Sequence, residues 1–373
     1  MHYFVFSEKD TTIYQASGSQ NTGLDEILEV RKDISKTGGT INVSRALIEF
    51  DLTRITRDIN RGIIKNPKYF LNLFEANSTT LTTQSLYAYP VSGSWVMGGG
   101  RLDDNPITTE GCSFNFRDGK TQSTLWRPPV TASGGNWHTG SGFEASASIT
   151  HKTTDVRMDV TDIVNKWLSG SIDNNGFIIK RSGSLGTITT GSNDDEGNST
   201  RFGNLQFFSS DTHTKYPPSL EVQWDDSVWS TGSLSALSST DIEDLVIYMR
   251  GLRPEYKEKS RVKFRLVGRA RFPDKSFSTS PANLTVKYLP SGSITGDGAF
   301  YSLQDAETED VIVPFGSGSR ISCDSTGNFF NLDLDGYQPE RFYSILFKVV
   351  SGSGTTQVTE QYFDEGFTFK VTI

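Results

Sequence analysis

Cysteine is scarce: the 373 residues hold two, Cys112 and Cys323, far apart in the chain. That excludes the disulfide framework of small secreted modules and suits folding in a reducing compartment. Positive charge is also short. Thirty-six Lys and Arg against 44 Asp and Glu leave a net charge of -8, which argues against binding nucleic acid, where phosphates must be neutralised. No apolar run approaches the ~20 residues of a membrane helix. Tyr3-Phe4-Val5-Phe6 is apolar but far too short for a secretory signal, and no basic segment precedes it. The expectation is a chain made in the cytoplasm, with no membrane partner. Gly-x-Ser-x-Gly, His-Glu-x-x-His and phosphate-loop patterns are missing. The four histidines, His2, His138, His151 and His213, are scattered, without metal-ligand spacing. A non-enzymatic protein with no required cofactor is expected.

What the chain does contain is aromatic residues (12%, including 24 Phe) and 35 Gly. β-Strands favour the first and their turns need the second, so the class is all-β. The clearest local signal runs from Asp155 to Lys180. Val160, Ile163, Val164, Trp167 and Leu168 recur at i, i+3, i+4, i+7 and i+8, one apolar face of a short helix. Asp159 or Thr161 supplies a capping oxygen, and Gly170 a left-handed stop. Asn174-Asn175-Gly176 is a turn, and Phe177-Ile178-Ile179 a buried strand. A lone helix in a β-rich chain plugs the open end of a sandwich or barrel, which makes Trp167 a core residue.

Asp-Val-Thr with a spaced Val and Trp, then Asn-x-Gly-Phe, resembles the DNRLRE-type β-sandwich family. Lys9-Asp10-Thr11-Thr12-Ile13-Tyr14 is similar to that family's first strand, and Arg45–Leu52 to its Leu-x-Phe-Asp strand. Phe207–Ser210 and Tyr216–Val222 resemble its closing strands. The resemblance implies a jelly-roll-like sandwich over residues 1–226 and an association with carbohydrate. Gly93-Ser94-Trp95, Gly111-Cys112-Ser113-Phe114 and the run Phe208–Thr214 resemble virion structural proteins of contractile-tailed bacteriophages. That likeness implies a collar, neck, tail or baseplate component present in several copies among other virion proteins.

Between Gly93 and Gly142 periodicity fades, and Gly, Pro, Asn and Trp dominate. Structureless stretches of that length inside a domain are uncommon and often functional. Trp95, Trp126 and Trp137 lie there. Exposed, they would stack on the sugar rings of a host glycan. Buried, they would pin the excursion to its own sheet, which the cost of leaving large apolar rings in water favours. Asp194-Asp195-Glu196 and Asp103-Asp104 offer hard oxygen ligands for calcium. Neither follows the twelve-residue EF-hand pattern, and solvated acidic turns are the plainer reading.

Ser227–Thr240 is serine-rich and reads as a linker. From residue 241 to 373, seven or eight alternating segments suggest an immunoglobulin- or fibronectin-like sandwich. Leu332–Tyr343 resembles the fibronectin type III approach to its tyrosine corner, with Tyr343 as the corner residue. Arg250–Arg271 is dense in positive charge. Arg253, Lys257, Lys259, Arg261, Arg269 and Arg271 read either as the solvated face of a hairpin or as a face docking on an acidic neighbour.

Overall fold

A computed structural model gives the fold. It describes all residues except 36–38, 81, 120–123, 131–132, 151–154, 239–241, 273–285, 292–296 and 353–357. Among the described residues the architecture is all-β, with two short α-helices. The chain divides into two compact units. The first comprises Val5–Arg61 and Lys68–Val222. The second comprises Met1–Phe4, Gly62–Pro67 and Gln223–Ile373.

In chain order the first part runs β1 (His2–Tyr14), β2 (Ile27–Ile34), β3 (Ile41–Phe50), α1 (Thr53–Asn60), β4 (Lys68–Leu73), β5 (Thr79–Thr80) and β6 (Gln84–Pro90). It continues with β7 (Phe116–Asp118), β8 (Thr124–Leu125), β9 (Ala145–Ile149), β10 (Val156–Asp159), α2 (Thr161–Leu168), β11 (Phe177–Lys180), β12 (Gly203–Phe208) and β13 (Ser219–Gln223). Eleven of these strands make one continuous sheet in the order β10-β4-β13-β1-β3-β11-β6-β9. β2 branches from β3 to β12, which also pairs β5.

Both faces of the central strands are buried. All four residues of β11 are inaccessible. Phe177 meets Phe50 (6.3 Å) and Trp167 of α2 (4.6 Å) on one side. On the other, Ile178 packs with Ile13, Leu47, Phe114, Trp126 and Trp137. The helix seals the first face and the long excursion after β6 covers the second. α2 ends as its sequence implies, with Gly170 at φ +71°. Asp159 accepts from Thr161 N at 3.0 Å.

The sequence reading had one helix, and α1 is a second. Its start is fixed by Asp51, whose carboxylate accepts from Thr53 N (2.8 Å) and Thr53 Oγ1 (2.6 Å). Only Ile55 and Asp58 of α1 are buried, so its apolar stripe is too thin to stand out from the charged residues around it. Asp51 two residues before Thr53, followed by Ile55 and Ile59, is the signal that would have found it.

The second part runs β14 (Ser235–Ala236), β15 (Leu245–Arg250), β16 (Glu255–Lys257), β17 (Arg261–Ala270), β18 (Lys287–Tyr288), β19 (Gly298–Asp305), β20 (Val311–Val313), β21 (Ser322–Asp324), β22 (Gly327–Asp333), β23 (Phe342–Ser351) and β24 (Thr359–Thr372). β15-β17-β22-β21 stand in the A-B-E-D order of an immunoglobulin sheet. β24-β23-β19-β20 stand as G-F-C-C′, and β16 pairs parallel to β24. No disulfide ties the sheets: Cys112 and Cys323 are free and buried. Stacked aromatic rings fill the space instead. Phe330 lies 4.3 Å from Tyr301 and 5.2 Å from Phe264. Tyr343, near the start of β23, is 2% exposed and donates to Gln338 O at 3.0 Å, the contact of a tyrosine corner.

The division at Val222 precedes the boundary at 226 read from the sequence. The described part of the expected linker, Ser227–Ser238, departs from a free one, while residues 239 and 240 lie outside the described residues. Val228 and Ser230 exchange backbone bonds with Cys323 (2.9 Å each). β14 pairs parallel with β18, and Leu237 is buried in the second core. Serine richness hid one apolar anchor and a short strand. Chymotrypsin acting on native protein is therefore expected to spare Trp229, Leu234 and Leu237. Early cleavage at any of them would show that the segment is not held.

Candidate interaction surfaces

The three tryptophans are interior residues: Trp95 is 3%, Trp126 4% and Trp137 3% exposed. Trp95 Nε1 donates to Asn175 O (2.9 Å) and Trp126 Nε1 to Ser113 O (2.7 Å). Trp137 lies under the Arg45 guanidinium and the Lys180 ammonium, 5.1 and 5.0 Å from its ring. A sugar has no access to these rings, so of the two readings burial against their own sheet holds and glycan stacking does not. Asn21 ties the same excursion to the sheet. Its amide donates to Met97 O (2.6 Å) and Cys112 O (2.8 Å), and its carbonyl accepts from Gly23 N (3.2 Å) and Gly100 N (2.9 Å).

The acidic loops also differ from calcium cradles. Glu196 is buried, and both its oxygens are taken by cations. Arg45 donates Nε to Oε1 at 2.9 Å and a terminal nitrogen to Oε2 at 2.7 Å, while Lys180 Nζ lies 3.1 Å away. A calcium ion there would meet two positive neighbours. Burial pushes the Glu196 pKa up, and Arg45 and Lys180 together outweigh it, so the carboxyl sits below its ordinary range. Asp194 accepts from Gly197 N at 2.7 Å, and Asp195 N donates to Ser182 Oγ at 2.9 Å. Asp104 accepts from Thr108 Oγ1 (2.5 Å) and Arg101 N (2.9 Å) beside an exposed Asp103. Both stretches order turns. Among the described residues no three His, Cys, Asp or Glu side chains are grouped to hold a metal. His151 lies outside those residues.

Around Glu196 gather Arg45, Lys180, Arg181 and Lys32, all 1% exposed or less. Lys32, Lys180 and Arg45 give donors to backbone oxygens of loops, and Arg181 bonds across strands β2, β6 and β12. Arg181 donates to Gln84 Oε1 (2.9 Å), Val30 O (2.8 Å) and Gly203 O (3.3 Å). Arg45 donates to Ser133 O (3.1 Å) and Gly134 O (2.5 Å). The cluster replaces secondary structure with charge-assisted hydrogen bonds. Sequence reasoning missed it because its members lie far apart in the chain.

The basic run is real but is not one hairpin face. β16, in its middle, pairs with β24 in the opposite sheet, while β15 and β17 pair with each other. On β17, Phe264 and Leu266 point to the core and Arg261, Lys263 and Arg265 to the outside. Asp324 neutralises the middle of that row, accepting from Lys263 (2.7 Å) and bidentately from Arg265 (3.0 and 2.8 Å). Those bonds, led by Arg265, hold the Asp324 carboxyl far below its ordinary range. Arg261 lies 3.8 Å from Asp226. Two groups remain at opposite ends of a ten-residue strand, about 30 Å apart at ~3.3 Å per residue. Arg253, Lys257 and Lys259 are exposed at one end, where Lys259, 70% exposed, lies 3.3 Å from Glu258. Arg269 and Arg271 stand at the other, Arg269 half-buried and Arg271 exposed.

Compared with protein-family models and with curated proteins, the chain matches none.

Proposed function

We propose that this protein is a non-enzymatic structural component of a tailed-bacteriophage particle, a collar, tail or baseplate part that works by docking on other virion proteins. The carrying observation is the exposed basic group of Arg253, Lys257 and Lys259 at one end of the immunoglobulin-like unit, in a chain of net charge -8. Its partner in this reading is an acidic surface on a neighbouring subunit. Exposed cations concentrated at one end steer and orient association. The glycan-binding alternative has lost the three tryptophans that were to carry it, since all lie inside the first unit.

The test is incorporation into particles. Reversing Arg253, Lys257 and Lys259 to Glu together is expected to slow incorporation and flatten its dependence on salt. Reversing Arg269 and Arg271 should leave both unchanged. A single reversal should do little, because an exposed pair is worth only about 0.2–1 kcal/mol. Wild-type occupancy of the folded triple variant across a salt series would remove the docking role from this end. Absence of the protein from purified particles would remove the virion reading itself.

A further inference from the structure

In the first unit the Lys32 amine lies within hydrogen-bonding distance of the Asn198 side-chain amide. Lys32 belongs to β2, between β3 and β12, and is 1% exposed. Its Nζ contacts three oxygens: the main-chain oxygens of Asp195 and Asn198, the latter at 2.7 Å, and Oδ1 of Asn198 at 2.9 Å. The same Oδ1 accepts from Thr200 N at 2.8 Å. Lys32 also lies over the Phe202 ring at 5.3 Å.

We propose that Lys32 and Asn198 form an intramolecular amide cross-link, with the lysine amine displacing the asparagine side-chain nitrogen as ammonia. A neutral amine has two N–H donors and one lone pair. The carbonyls of Asp195 and Asn198 can take the two donors, which turns the lone pair toward the asparagine amide. Thr200 N–H polarises that carbonyl and is placed to stabilise the oxyanion of the tetrahedral intermediate. Fixed at hydrogen-bonding distance, the two groups react with a high effective concentration.

The step balances without a co-reactant. The ammonium gives up one proton, and Nζ attacks Cγ of Asn198. The Cγ–Nδ2 bond then breaks as a proton moves from Nζ to Nδ2, and ammonia leaves. No atom is oxidised or reduced.

The surroundings favour the neutral amine in part. Burial, the largest cause, holds the Lys32 pKa below the ordinary lysine value. Asp195, Asp194 and Glu196 oppose it, and Arg181 adds to it. Asn198 is only half-buried, so ammonia has a way out. The product would join β2 to the strandless loop before β12, closing a loop of 166 residues. Closing so long a loop removes conformations from the unfolded chain.

Intact-mass measurement of the denatured full-length protein tests this. Loss of ammonia should lower the mass by about 17 Da from the sequence value. Digestion should give a branched peptide carrying both Lys32 and Asn198, with trypsin blocked at Lys32. Lys32→Arg keeps the charge but cannot condense, so it should show its full sequence mass, as should Asn198→Ala. A wild-type protein of full sequence mass after prolonged incubation at pH 8 overturns the proposal, whether or not the variants fold. A deficit that persists in Lys32→Arg overturns it too, since the ammonia would then come from cyclisation of an asparagine on its own backbone.

Discussion

Glu196→Ala is expected to lower the stability of the folded chain by about 3–5 kcal/mol, the range for stripping one partner from a buried ion cluster. Arg45 and Lys180 are both 0% exposed and share this single carboxylate. Neither can turn to water when it is gone. Their other bonds, from Arg45 to Ser133 and Gly134 and from Lys180 to Arg181 (2.7 Å) and Gly183 (3.2 Å), go to neutral carbonyls. Those carbonyls cannot replace a full negative charge. Glu196→Gln should cost nearly as much, because it keeps the shape and removes the charge. Urea unfolding followed by circular dichroism reads the loss, and a change under about 1 kcal/mol would mean the cluster is not what holds these loops.

The same residue gives a pH signature. Its folded pKa lies below the unfolded value of 4.5. The unfolded chain therefore binds the proton first as pH falls. The contribution of Glu196 is full above pH 4.5 and is lost as pH drops through that value and below the folded pKa. The Gln variant lacks this titration, so its stability should fall less steeply than wild type on the acid side of pH 4.5.

Local patterns carried the sequence reading, and non-local ones defeated it. Val160, Ile163, Val164 and Trp167 announced α2 because helix periodicity is written within eight residues. Gly170 and Gly176, at φ +71° and +77°, announced its stop and the turn that follows. Tyr343 was legible for a similar reason: its hydroxyl reaches only five residues back, to Gln338. Of the two cations on Glu196, by contrast, Arg45 is 151 residues away. In isolation Asp194-Asp195-Glu196 looks like a solvated acidic turn. The tryptophans are buried, as the cost of leaving large rings in water favoured, but an irregular sequence gives no sign of which face of the sheet the excursion covers. The basic run misled through adjacency. β16 pairs with β24 in the opposite sheet, with Tyr256 against Phe369 at 5.6 Å, so neighbours in sequence lie on different sheets.

Trp167→Ala is expected to cost about 3–5 kcal/mol, the range for removing a large buried aromatic ring from a core that cannot fully collapse. Trp167 is 7% exposed and meets Phe177 ring to ring at 4.6 Å, and Phe177 in turn meets Phe50. The ring thus fixes α2 to the two central strands β3 and β11. With it gone, Ile163 and Val164 are the remaining buried side chains of the helix, too few to hold eight residues that could not stay helical alone. Trp167→Phe separates packing from polarity. The indole nitrogen of Trp167 is buried without a hydrogen-bond partner among the described residues. Phenylalanine therefore gives up ring area but also removes an unsatisfied donor. Its cost should be well under half that of alanine. If Trp167→Ala unfolds in urea at the wild-type midpoint, α2 is peripheral and the first sandwich is closed by something else. If Trp167→Phe is as damaging as alanine, the indole nitrogen has a partner in solution and is part of what holds the helix down.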